Sequence, residues 1–262
     1  MAQATTIDEV LHRLTLIIEE SVATNNRAGY FAALYFKVTS KVKEGILSNR
    51  FEDGPRMERL DVIFANRYLT AYEQWTSRQP MTGPWRVAFE TVEKRGALVL
   101  QQLFLGMNAH INLDLGIAAV ETIQGKDLQD LTRDFDAINS VIGSLSNQVI
   151  RELDKVSPLL SFLGFHATNY NSILIQFSID SARDGAWRFA EELSRSEGKD
   201  YAACIADREK NITLLAESLI HASPLLKTTI WVIHVFEWKK PARIINEMYE
   251  GKKRYLKVGE MT

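Results

Sequence analysis

His110 and Asp114 stand four residues apart in the stretch Gln101-Gln102-Leu-Phe-Leu-Gly106-Met-Asn108-Ala-His110-Ile-Asn112-Leu-Asp114-Leu-Gly116. On a helix that spacing stacks the two side chains on one face. An imidazole beside a carboxylate supports two kinds of chemistry. The carboxylate can fix the tautomer of the ring so that the other nitrogen takes or gives a proton, or the pair can share a divalent transition metal. The same pair also serves as a hydrogen-bonded core histidine with no chemical task. The stretch is apolar nearly all round, which assigns it to the centre of a protein. There an unpartnered polar group costs about 1–3 kcal/mol. Gln101, Asn108 and Asn112 fall on roughly the opposite side and suit the fixing of neighbouring helices.

Asp61 lies on the apolar stripe of Met57, Phe64, Ala65, Tyr68 and Tyr72. An acid there is costly unless paired. It reads as a third carboxylate for a metal, as a general base, or as half of a buried ion pair with Arg56, Arg59 or Arg183. Asp180 and Asp184 repeat the i,i+4 spacing, with Arg183 and Trp187 adjoining. Here the readings are a cation site, with Asp184 joining His110, Asp114 and Asp61 as a metal ligand and Arg183 supporting catalysis, or a solvated, salt-bridged helix face. His166, His221 and His234 stand in apolar company and read as structural. Tyr30, Tyr35, Phe64, Tyr68, Tyr72, Trp75, Trp85 and Phe104 either line a pocket for an apolar ligand or form plain core. There is no HExxH, CxxC, P-loop, GxSxG, or GxGxxG before a strand.

The elements that must position these residues are helical throughout. Apolar residues at i, i+3, i+4 and i+7 predict helices over 7–24, 28–46, 56–77, 84–94, a central one over 96–121, and 127–153. Further helices are predicted over 169–194, 200–221 and 225–249, the last interrupted near Pro241. Asp53 suits an N-cap, with Pro55 in the first turn behind it. Gln79-Pro80-Met-Thr-Gly83-Pro84 is a loop, and Pro158 and Gly164 bracket the short segment 159–163. The β-branched run from Ser172 to Ile179 could open as a strand, but with no partner strand elsewhere it is assigned to helix. The expectation is one all-α domain over 1–262, of about nine to eleven helices around the central one.

A chain of 262 residues with 46% hydrophobic and 24% charged residues can bury a substantial core. A formal net charge of −2 gives no general attraction for nucleic acid. The basic residues after Trp238, among them Lys252, Lys253, Arg254 and Lys257, read as a solvated tail. Asp8, Glu9, Glu19 and Glu20 interrupt the first apolar stretch, unlike a signal peptide. The longest apolar run, Ile230–Phe236, is too short for a membrane span. Cys204 is the sole cysteine, so no disulfide forms within the chain, and a reducing, cytoplasmic setting is expected.

Three segments, Phe51-Glu-Asp53-Gly-Pro-Arg56-Met-Glu-Arg-Leu-Asp61, Asn108-Ala-His110-Ile-Asn112-Leu-Asp114-Leu and Ala182-Arg183-Asp184-Gly-Ala-Trp187, resemble the shared motifs of a bacterial and fungal all-helical family known as a domain of unknown function. The resemblance spans most of the chain and brings no reaction with it. It implies that Asp61, His110, Asp114 and Asp184 meet in space. Three functions are then open: an enzyme acting on a small, largely apolar metabolite by acid–base or metal-assisted chemistry; a cofactor-free cyclase or isomerase with aromatic walls; and a non-enzymatic binding or interaction protein whose polar rows fix helix register.

Overall fold

The computed structural model describes residues 2–94, 96–159, 179–220 and 224–250, and every regular element among them is helical. Helix α1 is Ile7–Thr24, α2 Gly29–Leu47, α3 Gly54–Thr76 and α4 Gly83–Glu93. A long central element follows as α5 (Val99–Ala109), a single π-helical turn (His110–Asp114) and α6 (Leu115–Ile123). A 3₁₀ turn, Leu128–Leu131, leads into α7 (Thr132–Val156). The remaining helices are α8 (Ile179–Ser194), α9 (Gly198–Ile220), α10 (Pro224–Phe236) and α11 (Pro241–Glu250). The all-α expectation holds, with eleven α-helices among the described residues. His166, His221, the run before Ile179 and the lysines of the final twelve residues lie outside the described residues.

Local chemistry sets the boundaries. Thr6 caps α1 by accepting from the Glu9 amide, and Asp53 caps α3 by accepting from the Arg56 amide. Asn25 ends α1 in the left-handed region, at φ 52°. The start of α5 is closed by two side chains. Gln101 accepts from the Leu98 amide at 3.1 Å, and Glu237, from the turn after α10, accepts from the Val99 amide at 3.2 Å. A carboxylate is well placed there, where the helix exposes its amides.

The Phe51–Arg56 motif is explained as a corner. Asp134 of α7, wholly buried, accepts from the Glu52 amide at 2.6 Å, the Asp53 amide at 3.3 Å and Arg56 Nη2 at 2.7 Å. Arg56 thus belongs to Asp134 and not to Asp61. The Phe51 ring lies where a side chain on Gly45 would be, 2.7 Å from the position of a Cβ. A buried ion pair between Lys37 and Glu152 ties α2 to α7.

The central element runs between the core clusters. Leu103, Leu105 and Ala109 pack with Leu14, Tyr30 and Tyr68 of α1–α3. Leu115, Ala118 and Ala119 join Met57, Leu60 and Phe135, and Leu113 and Ile117 join Phe189 and Leu193 of α8. By length and apolarity Val99–Ile123 could cross a membrane, yet 78% of its most apolar stretch is buried among the other helices. Two glycines admit the close approaches. A Cβ on Gly106 would come within 2.4 Å of the Phe31 ring, and one on Gly116 within 2.5 Å of Phe189 and 2.9 Å of the Ala186 carbonyl. The second clash includes backbone and cannot be relieved by a ring rotation. Gly116→Ala therefore lowers stability by about 1–3 kcal/mol through overpacking, outweighing a gain of up to about 1 kcal/mol in helix propensity. Chemical denaturation reads the difference, and an unchanged or raised midpoint would contradict this packing.

Candidate functional site

The π turn lies where the site is. It adds a residue to one turn of the central helix and gathers His110, Asn112, Leu113 and Asp114 in the interior. Such turns occur often at functional positions. One consequence is visible at the Asn112 carbonyl, which accepts from Arg208 Nε of α9 at 2.8 Å. Asn108 Nδ2 donates to the Ile212 carbonyl at 3.1 Å, and Asn112 Nδ2 donates to Asn108 Oδ1 at 3.0 Å. The asparagine row therefore fixes α9 against the central element.

The other row is more unusual. Asp114, 1% exposed, accepts from Arg67 Nε at 2.9 Å and from Trp85 Nε1 at 2.8 Å. Its Oδ2 also stands 3.4 Å from His110 Nδ1. Because Asp114 is an acceptor, the contact favours the His110 tautomer with hydrogen on Nδ1 and a lone pair on Nε2. Burial pushes the imidazole below its ordinary range, against the pull of Asp114, so the ring is neutral at pH 7. His110 Nε2 has no hydrogen-bond partner among the described residues.

Rings enclose that nitrogen. Phe64 stacks on His110 with centroids 3.5 Å apart and planes 5° from parallel. Tyr35 meets it edge-on at 4.5 Å, and Phe31, Trp85 and Tyr68 stand at 5.9, 6.0 and 6.3 Å. The hydroxyls of Tyr35 and Tyr68 are buried; that of Tyr35 lies beside the Thr39 side chain, and that of Tyr68, like His110 Nε2, makes no hydrogen bond among the described residues. Burial holds both phenols neutral, pushing them well above the ordinary range.

Asp61 approaches from α3, one turn before Phe64. It is 4% exposed, and its Oδ2 is unpartnered among the described residues. Burial first, then the nearby Glu58, pushes its carboxyl up to about 8, so it is mostly protonated at pH 7. Asp61 and Asp114 both act electrostatically on Tyr35, adding to the burial that raises its phenol. The ion-pair alternative for Asp61 does not form. Arg56 serves Asp134, Arg59 is exposed, and Arg183 lies elsewhere.

The structure thus puts His110 and Asp114 in contact, with Tyr35 against the imidazole and Asp61 buried one turn before the Phe64 that stacks on it, and leaves out Arg183 and Asp184. Asp184 is exposed. Arg183 is buried, donates from Nη2 to the Phe135 carbonyl, and lies 4.6 Å over the Phe135 ring, which Trp187 also meets at 4.8 Å. The motif around them clamps α8 to α7. The expected metal set of His110, Asp114, Asp61 and Asp184 does not assemble. Both Asp114 oxygens are already engaged by donors, Asp184 faces outward, and among the described residues no three His, Cys, Asp or Glu side chains are grouped to hold a metal ion.

Arg67, the residue that fixes Asp114, is absent from the candidates that sequence alone supplies. Nothing in its sequence setting marks it, and the burial of its neighbours Asn66 and Tyr68 is a finding of the structure. Tyr35 is visible in the sequence as an aromatic residue, but not as the ring that meets His110 edge-on.

No curated protein and no solved structure matches the chain. Residues 7–222, which contain all three motifs and every residue of this site, match a family of unknown function, DUF5995. The chain belongs to that family.

Proposed function

We propose that the protein is an enzyme that performs acid–base chemistry on a small, largely apolar molecule, with His110 as base and Asp61 as acid. The observation that carries this reading is a neutral imidazole with a bare Nε2, oriented from its other nitrogen by a carboxylate that Arg67 and Trp85 hold in place. That is the arrangement a general base needs. Asp61, kept protonated by burial, supplies a proton donor on the same side of the core as Tyr35. The Tyr35 and Tyr68 hydroxyls are further donors for an oxygen that gains charge during reaction. Phe31, Phe64 and Trp85 exclude water, which strengthens each of these interactions. No metal enters this scheme.

A second reading has its own support. The close packing of five rings round His110 and the pairing of Asp114 with Arg67 suit a polar network that fixes helix register. Thermal melting of His110→Gln separates the two, run alone and against a panel of small esters, ketones and epoxides. For a reacting group, the variant melts at or above the wild-type temperature, and a ligand that stabilises the wild type no longer does so. For a structural histidine, the variant melts several degrees lower, and any ligand-induced shift persists.

A further inference from the structure

We propose that an open cleft on the outer side of α3 and α4 binds a small organic cation, a quaternary or protonated amine. The cleft encloses about 640 Å³, within the range of small-ligand sites. Its aromatic wall is Tyr72 and Trp75, whose rings meet edge-on at 5.8 Å. One face of Trp75 is stacked on Phe89 at 4.9 Å, with planes 6° from parallel. Both rings are held by carboxylates through their polar tips. Tyr72 Oη donates to Glu20 Oε2 at 3.3 Å, and Trp75 Nε1 donates to Glu93 Oε1 at 3.2 Å.

This places two carboxylates at the edges of two π faces, the combination that attracts a cation with an apolar surround. Of the two guanidiniums that line the cleft, that of Arg86 is tied to Glu90 at 3.1 Å. Among the described residues that leaves Arg78 to favour an anion, against Glu20 and Glu93. The cleft lies outward of Tyr68 along the α3 stripe, with Tyr72 and Tyr68 rings 6.5 Å apart. It shares no residue with the His110 cluster, and the proposal does not rest on that site being catalytic.

The test uses the full chain labelled with ¹⁵N, following the Trp75 indole N–H signal during titration. Tetramethylammonium is the probe, with tert-butanol as a neutral molecule of similar shape and acetate as the anion. The expected result is a saturable shift with tetramethylammonium alone, and at least a tenfold weaker affinity in the Glu20→Gln/Glu93→Gln double variant. Both glutamates are exposed, so the variant folds. An equal response to tert-butanol would reduce the cleft to an apolar hollow, and a response to acetate would reassign it to anions. Either of these, no saturable shift, or full affinity in the double variant overturns the proposal.

Discussion

Asp61→Asn raises stability at pH 7, by about 1–3 kcal/mol, and removes a slope from the stability–pH profile. The folded protein holds the Asp61 carboxyl up at about 8, where its ordinary value is 3.8. Between those values the folded state binds more protons at this group than the unfolded state does. Stability therefore falls as pH rises. The contribution is fully present below about pH 4, declines by up to about 1.4 kcal/mol per pH unit, and is gone above about pH 8. Asparagine is nearly isosteric and neutral in both states, so it escapes this loss. Against that gain stands its second N–H, which costs about 1–3 kcal/mol if it finds no acceptor. The gain across nearly the whole window is the larger quantity, and the net sign at neutral pH follows.

Urea denaturation of wild type and variant from pH 4 to pH 9 reads the difference directly. The two curves separate with rising pH and run parallel above about pH 8. Burial acts in the opposite sense on His110, whose folded-state value lies below 6.5. Its contribution is complete above about pH 6.5 and is lost as pH falls. With Asp61 replaced, stability below pH 6.5 is freed to rise with pH. Curves that stay parallel over the whole range would mean that Asp61 finds a partner that keeps it ionised.

The parts of this molecule that were legible from sequence are those governed by local periodicity. Amphipathic stripes mark α1 to α4 because each buries one face, and the Asp53–Pro55 start of α3 follows from capping chemistry alone. The His110–Asp114 pair was visible because an i,i+4 spacing is a property of a single helix. The π turn was not, since an extra residue in one turn leaves the surrounding apolar pattern intact. Partners across helices were not legible either. Asp61 has three candidate arginines in the sequence, but Arg56 pairs with Asp134, a carboxylate from α7 that also accepts from the backbone amides at 52 and 53. Asp184 shares a motif with Arg183 and Trp187, but successive helical positions point about 100° apart. The turn that buries Arg183 against Phe135 therefore leaves Asp184 outside.

Asp114→Asn tests the centre of the assembly, and its expected effect is a loss of about 2–4 kcal/mol. The carboxylate accepts from a guanidinium, an indole and an imidazole at once. Asparagine offers one acceptor oxygen and turns its amide donors toward groups that are themselves donors. Breaking a buried charged pair costs about 3–5 kcal/mol. The lower range applies here because the Arg67 side chain is 26% exposed and has Glu121 3.8 Å away as a second anion. A cycle with Arg67→Met separates the pair from its surroundings. The double variant loses less than the sum of the single ones, because methionine removes the cation that loss of the carboxylate would leave unmatched. The Asp114→Asn variant also carries a spectroscopic signature. Without Asp114 as acceptor, His110 loses the group that favours hydrogen on Nδ1, and ¹⁵N shifts of the ring move toward a mixture of tautomers. Unchanged ring shifts alongside the stability loss would show that Asp114 braces α3 and α4 without orienting His110, and the general-base assignment would fall with it.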